Sequence, residues 1–522
     1  MNQINLDKKI SLDKQKEKVA LLELTPRQLK LVFAWQIAGT CFEVFDQFVE
    51  PISIFEDISQ DGFIKPTQVA ECVELVKMYR KLCDDLGIQK AVAYATAGFR
   101  EAKNHYGFLE ELEIASGFKI RLLQDMDEIV SVYSAVVNSI DAPKGIIMYV
   151  EDDYTHIVQY ARKAIINSAT IPYGSESLAN LYLESVGSPE KQMQEMTDFF
   201  MQQLGESVDW LKDCDLGELR LVGVGETFES IGKVSRKGRR YPLDLAHSYE
   251  VSQRDFDNVY NAIKVLDIDK RNKIKGISQR SANSVAAGLA ITRAFLEFLG
   301  AQKFIISTSN VSTGILFTQC VPSTAEKPIV DIIGYSLNAN LSFRENFVTN
   351  QLHVYELAAI LFRQLRVMHK LGRHYLRPLK VASYMYDSGS RLRYSPSKKD
   401  ALPVILSSEI YGLSHHDQVL AAFIAATQNA DEFSLSEWVR YKDLVTDDDL
   451  IAVRKLAAIL KISVALDRSQ QGHIVDLACD VLGDSVIMKT VTDGADIRFE
   501  VKSAIDASTD FKKVFGKNLE IL

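Results

Sequence analysis

Residues 145–174 read GIIMYVEDDYTHIVQYARKAIINSATIPYG, which parses as a strand, a turn and two further strands rich in β-branched and aromatic residues. The same grammar opens an earlier stretch. Residues 29–48, LKLVFAWQIAGTCFEVFDQF, give two apolar, aromatic-rich runs around Gly39, the pattern of a strand, a tight turn and a second strand. Two segments that open alike predict an internal structural duplication.

Helical and buried-strand patterns alternate around both openings. TQVAECVELVKMYRKLCDDLGI (67–88) has apolar residues at helical spacing and stops near Gly87, and KAVAYATA (90–97) reads as a short buried strand. YGFLEELEIASG, KIRLLQ and MDEIVSVYSAVVNSI continue as helix, strand and helix. The second half supplies the helical EKQMQEMTDFFMQQLGESV, the buried strand ELRLVGVG, the strongly helical SANSVAAGLAITRAFLEFLG and the strand KFIISTS. After Pro322 the pattern changes to long amphipathic helices, such as NQLHVYELAAILFRQLRVMHKL and DDDLIAVRKLAAILKISVALDRS. DSVIMKTVTDGADIRFEVKS alternates around an Asp-Gly turn and predicts a terminal hairpin. The expected organisation is a charged N-terminal tail over 1–27, α/β subdomains over 28–141 and 142–325, and a helical domain with a C-terminal hairpin over 326–522.

Composition narrows the function classes. The chain has 522 residues, 47% of them hydrophobic and 25% charged, as in folded globular proteins. Its net charge of −9 argues against a generic duplex-DNA binder. Six dispersed cysteines form no CxxC pair, so neither a disulfide framework nor a zinc ribbon is indicated, and a reducing, cytoplasmic setting is expected. Apolar runs fall short of the roughly 18–20 residues that cross a bilayer, so no membrane association is expected.

Several short segments carry anion-binding chemistry. Ala38, Gly39 and Thr40 let backbone N–H groups approach an anion in a strand-turn-strand, although the same tripeptide also serves as a plain hairpin turn. In YATAGFREAKN, Thr96 and Arg100 follow a buried strand, where a guanidinium can bind phosphate bidentately; the alternative is a solvated arginine at a helix start. The run SRKGRRYPLD concentrates Arg236, Lys237, Arg239 and Arg240, either a polyanion-binding patch or a solvated loop.

Taken together, YATAGFREAKN, GISQRSANSVAAGLAITRAFLEFLG and LAAILKISVALDRS resemble the exopolyphosphatase and guanosine pentaphosphate phosphatase family over nearly all of the chain after residue 28. The resemblance implies the duplicated actin-like α/β fold shared with sugar kinases and chaperone ATPases, followed by an α-helical HD-like C-terminal domain. It also implies polyphosphate or guanosine phosphates as ligands, and Mg²⁺ as cofactor if the protein is active.

The family's active-site motifs depart from this sequence. Its first phosphate loop, Asp-x-Gly-Ser-Asn-Ser, aligns with Gln36–Cys41, where the acid is missing. Its second, Asp-x-Gly-Gly-Gly-Ser-x-Glu, aligns with Tyr149–His156, where Glu151, Asp152 and Asp153 bring negative charge to an anion's place. At an effective dielectric of about 20, each like-charge contact near 4 Å costs on the order of 4 kcal/mol. The family's catalytic Ser-Gly-x-Glu-Glu-Ala aligns with LLQDMDEIV, making Asp127 and Glu128 the candidate water-activating carboxylates. LVGVGETFESIG resembles the Gly-Gly-Thr phosphate turn through Gly225 and Thr227, with Glu226 replacing a glycine, and Ser312 stands where the family has arginine. In the helical domain His353 and Asp387 fit two HD-type positions, but Tyr386 replaces the second histidine and Lys398 and Lys399 offer none, which favours a structural bundle. His415 and His416 read as an exposed turn.

The expectation is a divergent family member, catalytically weak or inactive, acting as a binding or regulatory subunit. The alternative is an active exopolyphosphatase in which Arg100 clamps phosphate, Asp127 or Glu128 positions water, and Glu151, Asp152 and Asp153 hold Mg²⁺. A scaffold that forms a homodimer, or a heterodimer with a paralogue through the helical domain, is the third reading.

Overall fold

The computed structural model describes residues 16–162, 164–182, 187–214, 217, 219–278, 281–343, 348–391, 400–427 and 433–522. The chain divides into two compact units, one running to Arg239 and adding Tyr249–Val330, the other comprising Arg240–Ser248 and Asp331–Leu522.

The first unit holds two sheets. One contains β1 (Lys16–Thr25), β2 (Gln28–Ile37), β3 (Cys41–Pro51), β4 (Lys90–Ala95) and β5 (Ile120–Leu122), in the order β3-β2-β1-β4-β5. The other contains β6 (Lys144–Val150), β7 (Thr155–Ala161), β8 (Ala164–Ile171), β9 (Arg220–Val224), β10 (Glu250–Ser252) and β11 (Lys303–Ser307), in the order β8-β7-β6-β9-β11-β10. In each, three antiparallel strands are followed by two parallel additions, β4 and β5 in the first, β9 and β11 in the second. The duplication is therefore a property of the topology, with β10 an addition to the second half.

Strand β1 corrects the expected N-terminal tail. Lys16, Glu17 and Lys18 give the segment a charged face, yet Val19 to Thr25 are buried and form the central strand of the first sheet. Its apolar run reads as featureless because both faces are covered, as in central strands generally. Glu17 accepts a hydrogen bond from Gln36 at 2.7 Å and Lys18 lies 5.1 Å from the Trp35 ring centre, so the charges are absorbed at the strand's start. Residues 29–48 form the expected hairpin, but as the second and third strands of the sheet.

The second unit is mainly helical. The helices Val348–Gln364, Leu376–Met385, His415–Ala426 and Asp447–Leu466 pack around Leu420, Phe423, Leu456 and Ile459. Strands β12 (Ile474–Val481), β13 (Ser485–Thr492) and β14 (Asn518–Ile521) form a separate three-stranded sheet. The terminal hairpin expected around Asp493-Gly494 is replaced by β13, a turn with Gly494 at φ +96°, and the helix Arg498–Phe515. Ala504, Ala507 and Phe511 lie buried at helical spacing, and this periodicity outweighs the short alternation before it.

Candidate functional site

The two duplicated first turns meet within the first unit, where Arg27 of one reaches Asp152 of the other. Thr25 ends β1, and its Oγ1 accepts hydrogen bonds from the backbone N–H groups of Arg27 (3.3 Å) and Gln28 (3.2 Å), closing the turn into β2. The topologically equivalent turn runs from Glu151 to Tyr154, closed by the Glu151 N–H donating to the Tyr154 carbonyl at 3.0 Å. The loop with which Gln36–Cys41 was aligned instead joins β2 to β3, a full strand length from Thr25. Gly39 and Thr40 therefore sit at the other end of the sheet, and the acidic residue near the first turn is Glu23.

Arg27 joins the two turns. Its guanidinium lies 3.2 Å from Glu176 Oε2, 3.5 Å from Asp152 Oδ2 and 3.5 Å from Glu56 Oε1, and stacks over Phe55 with 4.6 Å to the ring centre. The only basic side chain on these turns is thus matched to carboxylates. The N-terminus of the helix Ser175–Tyr182, a natural anion site, is likewise occupied by protein. Ser175 N–H donates to the Glu151 carbonyl at 2.8 Å, and Glu176 and Ser177 N–H groups donate to the Asp152 carbonyl at 3.0 and 2.9 Å. Gly174 permits this closeness, since a Cβ there would collide with the Glu151 and Asp152 backbone.

Glu151, Asp152 and Asp153 are half-buried. Burial first, and then the neighbouring Asp152 charge, pushes the Asp153 carboxyl up to about 8 against an opposing pull from Arg27. Burial and Asp152 also push Glu151 well above the usual carboxylate range, with a Tyr149 hydrogen bond opposing. Asp153 thus favours the protonated form near neutrality. Among the described residues no group of three His, Cys, Asp or Glu side chains is arranged to hold a metal ion. Asp152, the third acid, is paired with Arg27.

Of the two candidate catalytic acids, only Glu128 reaches the second turn. It is 0% exposed and accepts the Ala97 N–H at 2.7 Å and the Tyr154 hydroxyl, with His156 Nε2 at 3.3 Å. His156 Nδ1 meets Thr170 Oγ1 at 2.9 Å, fixing the ring from behind. Both Glu128 oxygens are therefore engaged by protein donors. Asp127 is the third residue of the helix Asp125–Val137, where its Oδ2 accepts the Gln124 N–H at 2.9 Å in a capping box and its Oδ1 takes Arg121 at 2.6 Å.

The remaining candidates are dispersed, some of them buried. Thr96 N–H donates to Leu24 O at 2.9 Å, linking β4 to β1, and Thr96 itself is buried. Arg100 bonds to Asp125 and, at 3.3 Å, to Gln124 Oε1. Gly225 ends β9 at φ +108°, where a Cβ would lie 2.5 Å from the Val150 carbonyl, so only glycine fits. Thr227 packs under Gly288, and Glu226 accepts the Ser281 hydroxyl at 2.5 Å. Ser312 donates to Glu23 at 2.5 Å, with Tyr94 Oη 2.9 Å from Ser312 and Lys30 Nζ 3.2 Å from Glu23. Burial would raise the Glu23 carboxyl, but Lys30, Ser312 and Tyr94 together hold it below its ordinary value, so it is ionised.

The basic run does not form a continuous strip. It lies on the last turn of the helix Glu226–Arg239, where positive charge complements the helix dipole. Arg236 is buried, with its guanidinium carbon 5.3 Å from the Tyr249 ring centre, and Arg239 pairs with Asp255 at 2.7 Å. Lys237 and Arg240 are exposed, and Arg240 belongs to the second unit.

In that unit His353 Nε2 bonds to the Ile474 carbonyl at 2.8 Å and its Nδ1 lies 3.2 Å from Asp467, while Asp387 Oδ2 is 3.4 Å from Gln351 Nε2. Lys398 and Lys399 lie outside the described residues. His415 is buried rather than on an exposed turn, bonding to Tyr241 Oη and the His247 carbonyl, each at 2.9 Å. His416 is the partly exposed one, 3.1 Å from Asp449.

Paired β-β-β sheets with parallel additions and first turns that meet define a duplicated α/β protein. Residues 38–321 match the model of the Ppx/GppA phosphatase family, and the chain belongs to that family. Among solved structures it is similar in fold to the Aquifex aeolicus Ppx/GppA family member, with 19% identity and a TM-score of 0.53 over 59% of this chain and 99% of that one. An exopolyphosphatase from Cytophaga hutchinsonii gives 15% identity and a TM-score of 0.52 over 58% and 97%. A curated relative, the bifunctional 3-dehydroquinate synthase/phosphatase of Fusobacterium nucleatum, is 21% identical over 283 residues, 51% of this chain. The match covers 41% of that protein's length. The family match ends at residue 321, before Asp331–Leu522 of the helical unit, and no described helix is long and apolar enough to cross a membrane.

Proposed function

We propose that this chain is a catalytically weak or inactive member of the Ppx/GppA phosphatase family that acts as a binding or regulatory subunit in polyphosphate or guanosine-phosphate metabolism. The observation that carries this reading is the Arg27 bridge to Asp152 and Glu176 where the two first turns meet. A phosphoryl-transfer site needs preorganised donors aimed at charge that develops on the phosphate. Here the N–H groups of the Ser175–Tyr182 helix serve loop carbonyls, the guanidinium serves carboxylates, and Glu128 is closed off by three protein donors. Each arrangement favours a static junction over a site that exchanges substrate and water.

Lys237, exposed, and Arg100, paired with Asp125 at the surface, lie outside this junction and are the cations proposed to meet a polyanion. The helical unit, in which His353 and Asp387 have protein partners, is proposed as a structural and pairing module, either within a homodimer or with a paralogue. The test is orthophosphate release from polyphosphate and guanosine pentaphosphate, run beside binding of the same ligands by calorimetry. Binding without release supports the reading; turnover abolished by both Arg100→Ala and Glu128→Gln establishes the active-enzyme alternative.

A further inference from the structure

Strand β3 forms one edge of the first sheet, pairing with β2 on its inner side and, among the described residues, with no strand on its outer side. It has 11 residues, CFEVFDQFVEP. Edge strands of soluble proteins are ordinarily kept short, studded with lysine or covered, because an open row of backbone groups recruits other strands. β3 carries no lysine or arginine, and its one proline is its last residue. A bulge places Phe45 as an extra residue between Val44 and Asp46, but from Asp46 to Pro51 the strand is in regular register with Gln28–Phe33.

The side chains make this edge adhesive on both faces. Val44 is 45%, Phe45 40%, Phe48 36% and Val49 43% exposed. Phe45 and Phe48 extend the buried Phe33 outward, with ring centres 5.9 and 5.8 Å from it, so they form the uncovered margin of a real aromatic core. Asp46 and Glu50 flank Phe48 on one face of the strand and Val49 lies on the other, with no basic residue on the strand.

We propose that β3 is a docking edge for an extended segment of a partner protein in which apolar residues alternate with lysine or arginine. Strand addition supplies backbone hydrogen bonds, the apolar side chains cover Val49 on one face, and the basic ones lie on the other face, their charges meeting Asp46 and Glu50 and their stems covering Phe48. Charge decides between occupants: a second copy of β3 would set Asp46 and Glu50 against the same two acids, whereas a basic strand finds complementary charge. The inference stands whether or not the protein hydrolyses anything.

The experiment uses the full chain and a labelled probe peptide of alternating lysine and valine, long enough to span Asp46–Pro51, with a glutamate-valine peptide as control. Anisotropy measures binding, and hydrogen exchange followed by NMR locates it. Binding of the basic peptide, slowed exchange of the Asp46–Val49 amides, and affinity lowered at least about tenfold by Asp46→Lys and by Phe48→Thr support the proposal. Both substitutions are at exposed positions, and melting curves verify that each variant is folded. No binding, equal binding of the acidic peptide, or binding that leaves β3 amides unprotected overturns it. Concentration-dependent dimerisation abolished by Phe48→Thr also overturns it, making a second copy the occupant.

Discussion

Arg27 and Asp152 stand on turns that occupy the same place in the two duplicated halves, and the guanidinium Nε lies 3.5 Å from Asp152 Oδ2. Duplication thus brings two equivalent turns face to face, and the chain joins them by charge. Replacing Arg27 by Met leaves Asp152 and Glu176 without their cation. Removing one partner of a buried pair costs about 3–5 kcal/mol, and partial exposure of Asp152 reduces this to roughly 1–3 kcal/mol. Urea unfolding at neutral pH is expected to show that loss. A stability unchanged within error would mean that the arginine is held free for a ligand.

Asp153 gives a pH signature. Its folded-state carboxyl is raised to about 8 by burial and the Asp152 charge, above its ordinary 3.8. Between these values the folded state binds more protons than the unfolded one, so the group's contribution to stability falls as pH rises from about 4 to 8 and is flat above. Asp153→Asn removes the titration. The variant is expected to match the parent near pH 4 and to melt higher near pH 8, with a difference on the order of a few kcal/mol; a constant offset across this range contradicts the assignment.

Asp127 and Glu128 are neighbours in sequence with separate jobs. Asp127→Ala removes a capping-box acceptor and is expected to cost about 0.5–2 kcal/mol without changing ligand binding. Glu128→Ala leaves the Ala97 N–H and Tyr154 hydroxyl unmatched in a closed interior and is expected to cost more, about 2–4 kcal/mol. Parallel denaturation curves decide. Equal effects would mean that Glu128 is less tightly held than its hydrogen bonds indicate.

Much of the fold was legible because strands β6 to β9 have clean strand-turn grammar and the C-terminal helices have strong periodicity. Strand β1 was not, because Lys16, Glu17 and Lys18 give a central strand the look of a solvated tail. That omission moved the first turn by one strand and attached it to Gly39 instead of Thr25–Gln28. Arg27, Glu23 and Glu176 were missed with it, although Thr-Pro-Arg between two apolar runs is a turn signal. Tyr154 and His156 lay inside the quoted second loop, but only side-chain geometry shows them closing on Glu128. The choice between Asp127 and Glu128 was beyond sequence because adjacent helical residues point about 100° apart, so the register decides which one reaches the second turn. The basic run misled for the same reason: helical geometry buries Arg236 and exposes Lys237.

The most direct test of the central claim is orthophosphate release from long-chain polyphosphate by the purified chain with Mg²⁺ or Mn²⁺, beside Arg100→Ala. A packed ionic junction between the two turns predicts release far below an enzymatic rate of about 1 per second, and no difference between the two proteins. Release at about that rate or faster, lost in the Arg100→Ala variant, would contradict the account and make the acidic turn part of a working phosphatase site.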